Sequence, residues 1–399
     1  MVSKFFFIFF LAYYLEPHAV ALYGLLTVTV SYSLYALGFD FYTYSTRELL
    51  GNVQDQWARL IRDQGVFFAL TYILVLPLLA LVFFFELLPW FLAPWFFMLV
   101  IVEHLSQELN RLLVAISKQL LASVILFLRS GLWAIIAVIS FWLFPQTRSL
   151  EYALSAWVLG ALISCIIGIV ALSALERKNL KQSVDWKWIR RGIAVAVPFL
   201  IATLSIRGVF TIDRYWVKLI AGQEILASYV LFAGIANAVT SFLDAGVFVF
   251  LYPKIVSAFT RKDQKDFVSG MRSLLLQTVL IATLLSLAAA ILVHPLLWWL
   301  GKDVYSQNVG ILYVVLFAIV LYAISMVPHY GLYAMSKDRH IIFSHLVALP
   351  LFALSALVFT GFTSVYGIPL ALCFVFLAIL IYKAIVYQRC KSRLEWASS

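Results

Sequence analysis

Apolar runs about as long as a bilayer is thick follow one another along this chain almost without a break. Of its 399 residues 64% are hydrophobic and 12% are Asp, Glu, Lys or Arg, where a soluble domain carries about 45–50% apolar and about 25% charged residues. A soluble enzyme, a disordered tail and a disulfide-stapled secreted domain are all excluded. The chain reads as an all-α membrane protein, because an apolar run of about 20 residues satisfies its backbone in lipid by forming a helix. Candidate spans lie near 5–15, 19–39, 65–85, 87–104, 120–144, 152–175, 192–212, 225–252, 274–298, 308–335, 341–361 and 365–388. About twelve transmembrane helices are therefore expected, as two six-helix lobes around a central cavity. The basic link 176–191 separates residues 1–185 from residues 186–399. The first run is anomalous, since its helix would rise only about 16 Å against a hydrocarbon core of about 30 Å. It reads either as a half-span or as the later part of a longer helix.

The cations set an orientation. One set of links holds Lys4, Arg47, Arg59, Arg62, Arg111, Lys118, Lys337, Arg339 and the basic runs 177–191, 254–272 and 383–393, whereas the other holds Arg148, Arg214, Lys218 and Lys302. The positive-inside rule places the first set and both termini in the cytoplasm. The formal charge of +10 thus reads as an orientation signal of an inner membrane protein, and no nucleic acid is implied. The three cysteines show neither a CxxC nor a Cys/His pattern, so no disulfide framework, metal or other cofactor is indicated. No nucleotide-binding, zinc-protease or serine-hydrolase motif occurs, so the chain reads as no enzyme. An internal repeat is also visible. Ala36-Leu37-Gly38-Phe39-Asp40 has a counterpart in Phe242-Leu243-Asp244-Ala245-Gly246, each closing an apolar helix.

Charges inside apolar spans are costly and so mark cavities or partners. The seventh span carries Thr203, Arg207, Thr211, Arg214 and Lys218 at spacings that place all five on one helical face. Arg129 lies deep in the fifth span. These cations read as a wall that receives an anionic substrate; a structural network, or reach to the headgroups for Arg214 and Lys218, is the competing reading. Tyr322, Ser325, His329 and Tyr333 share a face of the tenth span, where ring and hydroxyl groups suit a sugar as well as ordinary packing. Asp213, the acid nearest the cationic stripe, joins Asp40 and Asp244 as the candidate ion-coupling residues. His104, His294 and His345 read as isolated.

Tyr14-Leu15-Glu16-Pro17-His18-Ala19-Val20-Ala21-Leu22-Tyr23-Gly24 resembles the proline link between the first two helices of bacterial polysaccharide exporters, with Glu16 where a glycine is usual. Gly38-Phe39-Asp40, followed by Ser45-Thr46-Arg47-Glu48, resembles the end of their second helix. Asp213-Arg214, Leu219-Ile220-Ala221-Gly222 and Ala227-Ser228-Tyr229 resemble their seventh-to-eighth helix link. The family is the O-antigen and polysaccharide flippases of the multidrug/oligosaccharidyl-lipid/polysaccharide exporter superfamily. The resemblance implies a polyprenyl-diphosphate-linked oligosaccharide as substrate and alternating access between two lobes. It also implies a place beside a polysaccharide polymerase and chain-length machinery. Arg129, Arg207, Arg214 and Lys218 would then meet the diphosphate, and Tyr322 and His329 the sugars. An ion-coupled multidrug or metabolite exporter of the same superfamily, and a membrane glycosyltransferase or polymerase, are the alternatives. The last would need a sizeable outer loop, which this pattern of spans does not provide.

Overall fold

The computed structural model describes residues 2–52, 54–173 and 182–393. Arg177, Lys178 and Lys181 of the basic link, and the end of the chain from residue 394, lie outside them. Every regular element among the described residues is helical. The order is α1 (Val2–Tyr14), α2 (Pro17–Gly38), α3 (Tyr42–Gly51), α4 (Gln54–Leu79), the short α5 (Leu81–Phe84), α6 (Ala93–Ala115), α7 (Gln119–Phe127) and α8 (Trp133–Leu143). There follow α9 (Leu150–Ser173), α10 (Trp186–Leu243), α11 (Val249–Thr260), α12 (Gln264–Leu300), the short α13 (Asp303–Gln307), α14 (Gly310–Ala334), α15 (Asp338–Phe362) and α16 (Gly367–Lys391). Among the described residues ten helical stretches are long and apolar enough to cross a membrane, and one of them, Trp186–Thr260, runs for 75 residues. Large apolar side chains such as Ile73, Leu74, Leu159, Leu276 and Leu357 are exposed along these helices, as a lipid-facing surface requires.

The chain divides into two compact units, Met1–Leu204 and Ser205–Ser399. In the first, α1 is 13 residues long and ends before Glu16, whose extended backbone leads into Pro17 at the start of α2. Proline fits there because its missing N–H would have no helical partner, and it holds the preceding residue out of the helical region. A π-helical turn, Leu128–Leu132, joins α7 to α8. An aromatic cluster of Phe41, Tyr44, Phe67, Phe68 and Trp188 ties α3, α4 and the start of α10 together, with Phe41 and Phe67 stacked at 4.4 Å.

In the second unit, α16 packs along α14 and α15. Buried small residues, among them Ala318, Ala323 and Ser325 on α14 and Ala371 on α16, let the backbones approach closely, which is how helices gain dispersion energy in lipid. Phe210 of α10 stacks on Phe376 of α16 at 5.3 Å. The two segments of the internal repeat differ locally. Gly38 ends α2, with Phe39 at φ 56°, whereas Asp244–Phe248 forms a π-helical turn through which the helix continues.

Two expectations need correction here. The link between the seventh and eighth spans is helical, and α10 continues through Asp213, Arg214 and Lys218 to Gly222. Residues 213–221 contain no proline or glycine to stop it. The break falls at Gly222, at φ 81° and ψ −177°, a region open essentially to glycine alone. Gly222→Ala should therefore cost about 1–3 kcal/mol through backbone strain, read as a lower thermal midpoint in detergent. An unchanged midpoint would refute the need for glycine at this bend. The second correction concerns Lys383, which in sequence reads as part of a solvated basic tail. It sits inside α16 with no exposed surface.

Candidate functional site

Lys383 is the starting point in the second unit, because a fully buried ammonium needs partners. Its Nζ lies 3.2 Å from Nδ1 of His329 on α14 and 3.3 Å from Nε2 of His345 on α15. The two imidazoles stack with centroids 5.7 Å apart and planes inclined by 23°. An ammonium at Nζ donates to both rings, which leaves the remaining proton of each imidazole on its other nitrogen. Three helices thus bring three basic groups into contact. His329 and His345 are half-buried and Arg207 is exposed. The Arg207 charge acts on His345 and on Asp244, and Asp244 is exposed in the π-helical turn after α10. Arg207 stands 21 residues from Trp186 and 15 from Gly222, about 31 Å and 22 Å along the helix. Neither distance lets its guanidinium reach a helix end, so the group belongs in a hydrated space.

Arg214 and Asp213 behave differently. Asp213 is 2% and Arg214 7% exposed at the side chain, and Arg214 Nη1 donates to Asp213 Oδ1 at 3.0 Å. Arg214 also donates to the Phe210 carbonyl oxygen at 2.5 Å. Tyr229 Oη donates to Asp213 Oδ2 at 2.7 Å, and the Arg214 backbone N–H donates to Oδ1. Charge and hydrogen-bonding capacity are met within this buried pair, so in this conformation it ties the two sides of the Gly222 bend together. Lys218, one turn further, is half-buried. Tyr322 packs edge-on to Phe210 and against Phe376 at 5.3 Å and 5.0 Å, and so serves the helix contact. Of the sequence-selected residues in this unit, Arg207, Asp244 and His329 fall in one polar region. Asp213 and Arg214 form a separate pair.

The first unit holds a second constellation. Glu103 of α6, 5% exposed at the side chain, lies 3.3 Å from Lys4 Nζ and 3.3 Å from Arg129 Nε. Trp157 Nε1 donates to the same carboxylate. Lys4 Nζ also sits 4.3 Å above the Trp157 ring, a favourable place for a cation, and Trp133 stacks on Trp157 at 5.5 Å. Arg129 occupies the π-helical turn, and its Nε and Nη1 are buried without a hydrogen bond. Further along α6, Glu108 accepts from Arg111 Nη1 at 2.5 Å and from Gln64 Nε2 at 3.1 Å. The Arg111 guanidinium lies 3.8 Å over the Tyr42 ring. Asp40, a candidate ion-coupling residue, is 6% exposed, and its charge acts on Glu108. His104 is paired too, with its Nδ1 2.7 Å from Tyr72 Oη.

Sequence reasoning missed Lys383 and Glu103 as interior charges. Both signals are present in the chain. Lys383 lies within the apolar run 365–388, and Glu103, His104, Glu108 and Arg111 recur at helical spacing once α6 is carried to Ala115. Among the described residues no three His, Cys, Asp or Glu side chains gather as metal ligands.

No protein-family model matches the chain, and no curated protein matches it in sequence. Solved structures match it in fold. An inward-facing multidrug resistance MATE family transporter of the MOP superfamily superposes with a TM-score of 0.82 at 12% identity, covering 99% of this chain and 96% of that one. A variant of the Vibrio cholerae MATE transporter VcmN gives a TM-score of 0.62 at 13% identity, covering 99% of both chains. A MOP superfamily transporter from Pyrococcus furiosus, described as having a binding pocket of reverse polarity, gives 0.62 at 12% identity over 98% of this chain and 91% of its own. The chain therefore has the MATE transporter fold.

Proposed function

We propose that this protein is a flippase that moves polyprenyl-diphosphate-linked oligosaccharide units from the cytoplasmic to the outer leaflet of a bacterial inner membrane by alternating access. In this reading both termini are cytoplasmic and the product feeds surface polysaccharide synthesis beside its polymerase and chain-length machinery. The observation that carries the proposal is the basic group of the second unit, where Arg207 is exposed and its charge acts on His345, and the buried Lys383 has the imidazoles of His329 and His345 as its partners. A diphosphate needs such cations along its route, and the guanidinium of Arg207 can offer it two parallel hydrogen bonds. The oligosaccharide requires a hydrated path, because its hydroxyls would be prohibitively costly in hydrocarbon. Arg129, which shares the single carboxylate of Glu103 with Lys4 in the first unit, is a further phosphate contact in this scheme. In this scheme Asp244, on which the Arg207 charge acts, would exchange Arg207 for a coupling ion.

Arg207→Ala should lower surface glycan about 10- to 100-fold, the loss of one or more charge-assisted hydrogen bonds. Lipid-linked units should accumulate on the inner leaflet, with the variant present in the membrane at wild-type level. Normal surface glycan in cells that rely on this variant would defeat the assignment. The second reading, an ion-coupled exporter of drugs or metabolites, is favoured by the fold shared with multidrug transporters and by the exposed Asp244. A deletion strain with unaltered glycan and heightened sensitivity to cationic drugs would select it.

A further inference from the structure

In the first unit, residues of α4 and of the start of α10 border a groove of about 680 Å³, within the range of small-molecule sites. Leu70 and Leu74 of α4 and Ile189 and Ile193 of α10 line it over a floor formed by Phe67. Leu70 and Leu74 are 41% and 68% exposed. Beyond them the apolar surface continues with Leu78. The walls are therefore those of a lipid-facing slot, not of a water-filled cavity. The mouth is different. Lys187 and Arg190 stand there, both exposed, beside Trp186, which is 57% exposed.

Among the described residues neither Lys187 nor Arg190 has an acidic partner, although other cations at this end do. Arg59 pairs with Asp185 at 3.3 Å and Arg62 with Asp63 at 2.5 Å. Asp185, the acid nearest in sequence, is further committed to the Trp188 backbone N–H. Two cations without an acidic partner among the described residues thus lie beside an exposed tryptophan at a groove lined by aliphatic side chains, the residue types found at a membrane interface.

We propose that this groove binds one anionic lipid of the surrounding bilayer, with its phosphate on Lys187 and Arg190 and an acyl chain between α4 and α10. The polar provision favours a phospholipid over a lipid-linked glycan. Among the described residues of the lining there is no carboxylate or amide side chain to hold a sugar, and the one hydroxyl, Thr71 Oγ1, already commits its proton to the carbonyl oxygens of Leu37 and Phe68. The inference stands apart from what the chain transports. Because Trp188 and Ile189 of the same segment pack into the aromatic cluster, the bound lipid clamps the start of α10 to α4.

The test uses the purified full-length protein, delipidated and offered phosphatidylglycerol or phosphatidylcholine, with retained lipid counted by native mass spectrometry. The wild type should keep one phosphatidylglycerol in strong preference to phosphatidylcholine. Each cation is worth roughly fivefold at a membrane surface, so K187Q/R190Q should lose about thirtyfold of that preference. Leu74→Trp, which fills the slot and leaves both cations, should also release the lipid. Equal phosphatidylglycerol retention by the wild type and K187Q/R190Q overturns the proposal. So does displacement of phosphatidylglycerol from the wild type by an equimolar polyprenyl-diphosphate glycan, which would make the groove a substrate site.

Discussion

Lys383→Met should cut transport about 10- to 20-fold and leave the protein as stable as the wild type or more so. The two halves of that result have different origins. Burying an ammonium costs several kcal/mol, which contacts to two imidazoles offset only in part. An apolar side chain of similar volume removes that cost, and replacements of this kind are neutral or stabilising by about 1–4 kcal/mol. His329 and His345 are half-buried and can turn to water once the lysine is gone. The loss of function comes from the field. A cation about 10 Å from one phosphate charge, beyond the imidazoles, contributes roughly 1.7 kcal/mol at an effective dielectric of 20, a factor of about 15 in binding. Thermal unfolding in detergent and surface glycan in a deletion background read the two effects separately. A variant that unfolds early would make Lys383 a structural residue, and wild-type glycan would remove the cluster from the transport path.

Glu103→Ala should have the opposite profile, a collapse of stability. The carboxylate is the shared counterion of Lys4 and Arg129 and the acceptor for Trp157. Its removal leaves two cations side by side and an indole N–H without its acceptor. Breaking a buried ion pair by removing one partner costs about 3–5 kcal/mol. The fold would lose the contact that holds α1 against α6 and α9, and the expected readout is a large drop in folded yield and thermal midpoint. Glu103→Gln keeps an acceptor for Trp157 and should fall between the two. Adding Arg129→Met to Glu103→Ala should restore part of the loss, because one uncompensated charge goes with it. A Glu103→Ala protein within about 1 kcal/mol of the wild type would show that the cluster carries no folding energy.

Much of this fold and part of this site are legible in the sequence. The apolar runs set the helices and the break at Glu16-Pro17. The spacing of Arg207, Arg214 and Lys218 puts them on a common helix, and Arg207, Asp244 and His329 stand out as interior polar groups. What escapes is pairing. Arg207 and Arg214 are two turns apart on the same helix and look alike in sequence. One is exposed beside His345 and Asp244, whereas the other is sealed against Asp213 and Tyr229. That difference depends on the bend at Gly222, which returns Tyr229 to Asp213, and on the helices that bring His345 near Arg207, and no spacing of the cations encodes it. His345 reads as isolated for the same reason: its partners are contributed by α14 and α16.

The amino-acid order alone determined that this chain lives in a bilayer as helices, because lipid offers the backbone no other hydrogen-bonding partner. Interior charges are visible to the same reading, since each is an expensive exception in an apolar run. Tertiary structure decided what those charges do. A buried cation becomes a strut when the adjacent carboxylate and a hydroxyl from beyond the helix bend close around it, as at Arg214. Its field stays uncompensated when imidazoles, which carry no negative charge, are its partners, as at Lys383. Only the folded arrangement, the bend at Gly222 in one case and the packing of α14, α15 and α16 in the other, brings these partners within hydrogen-bonding reach.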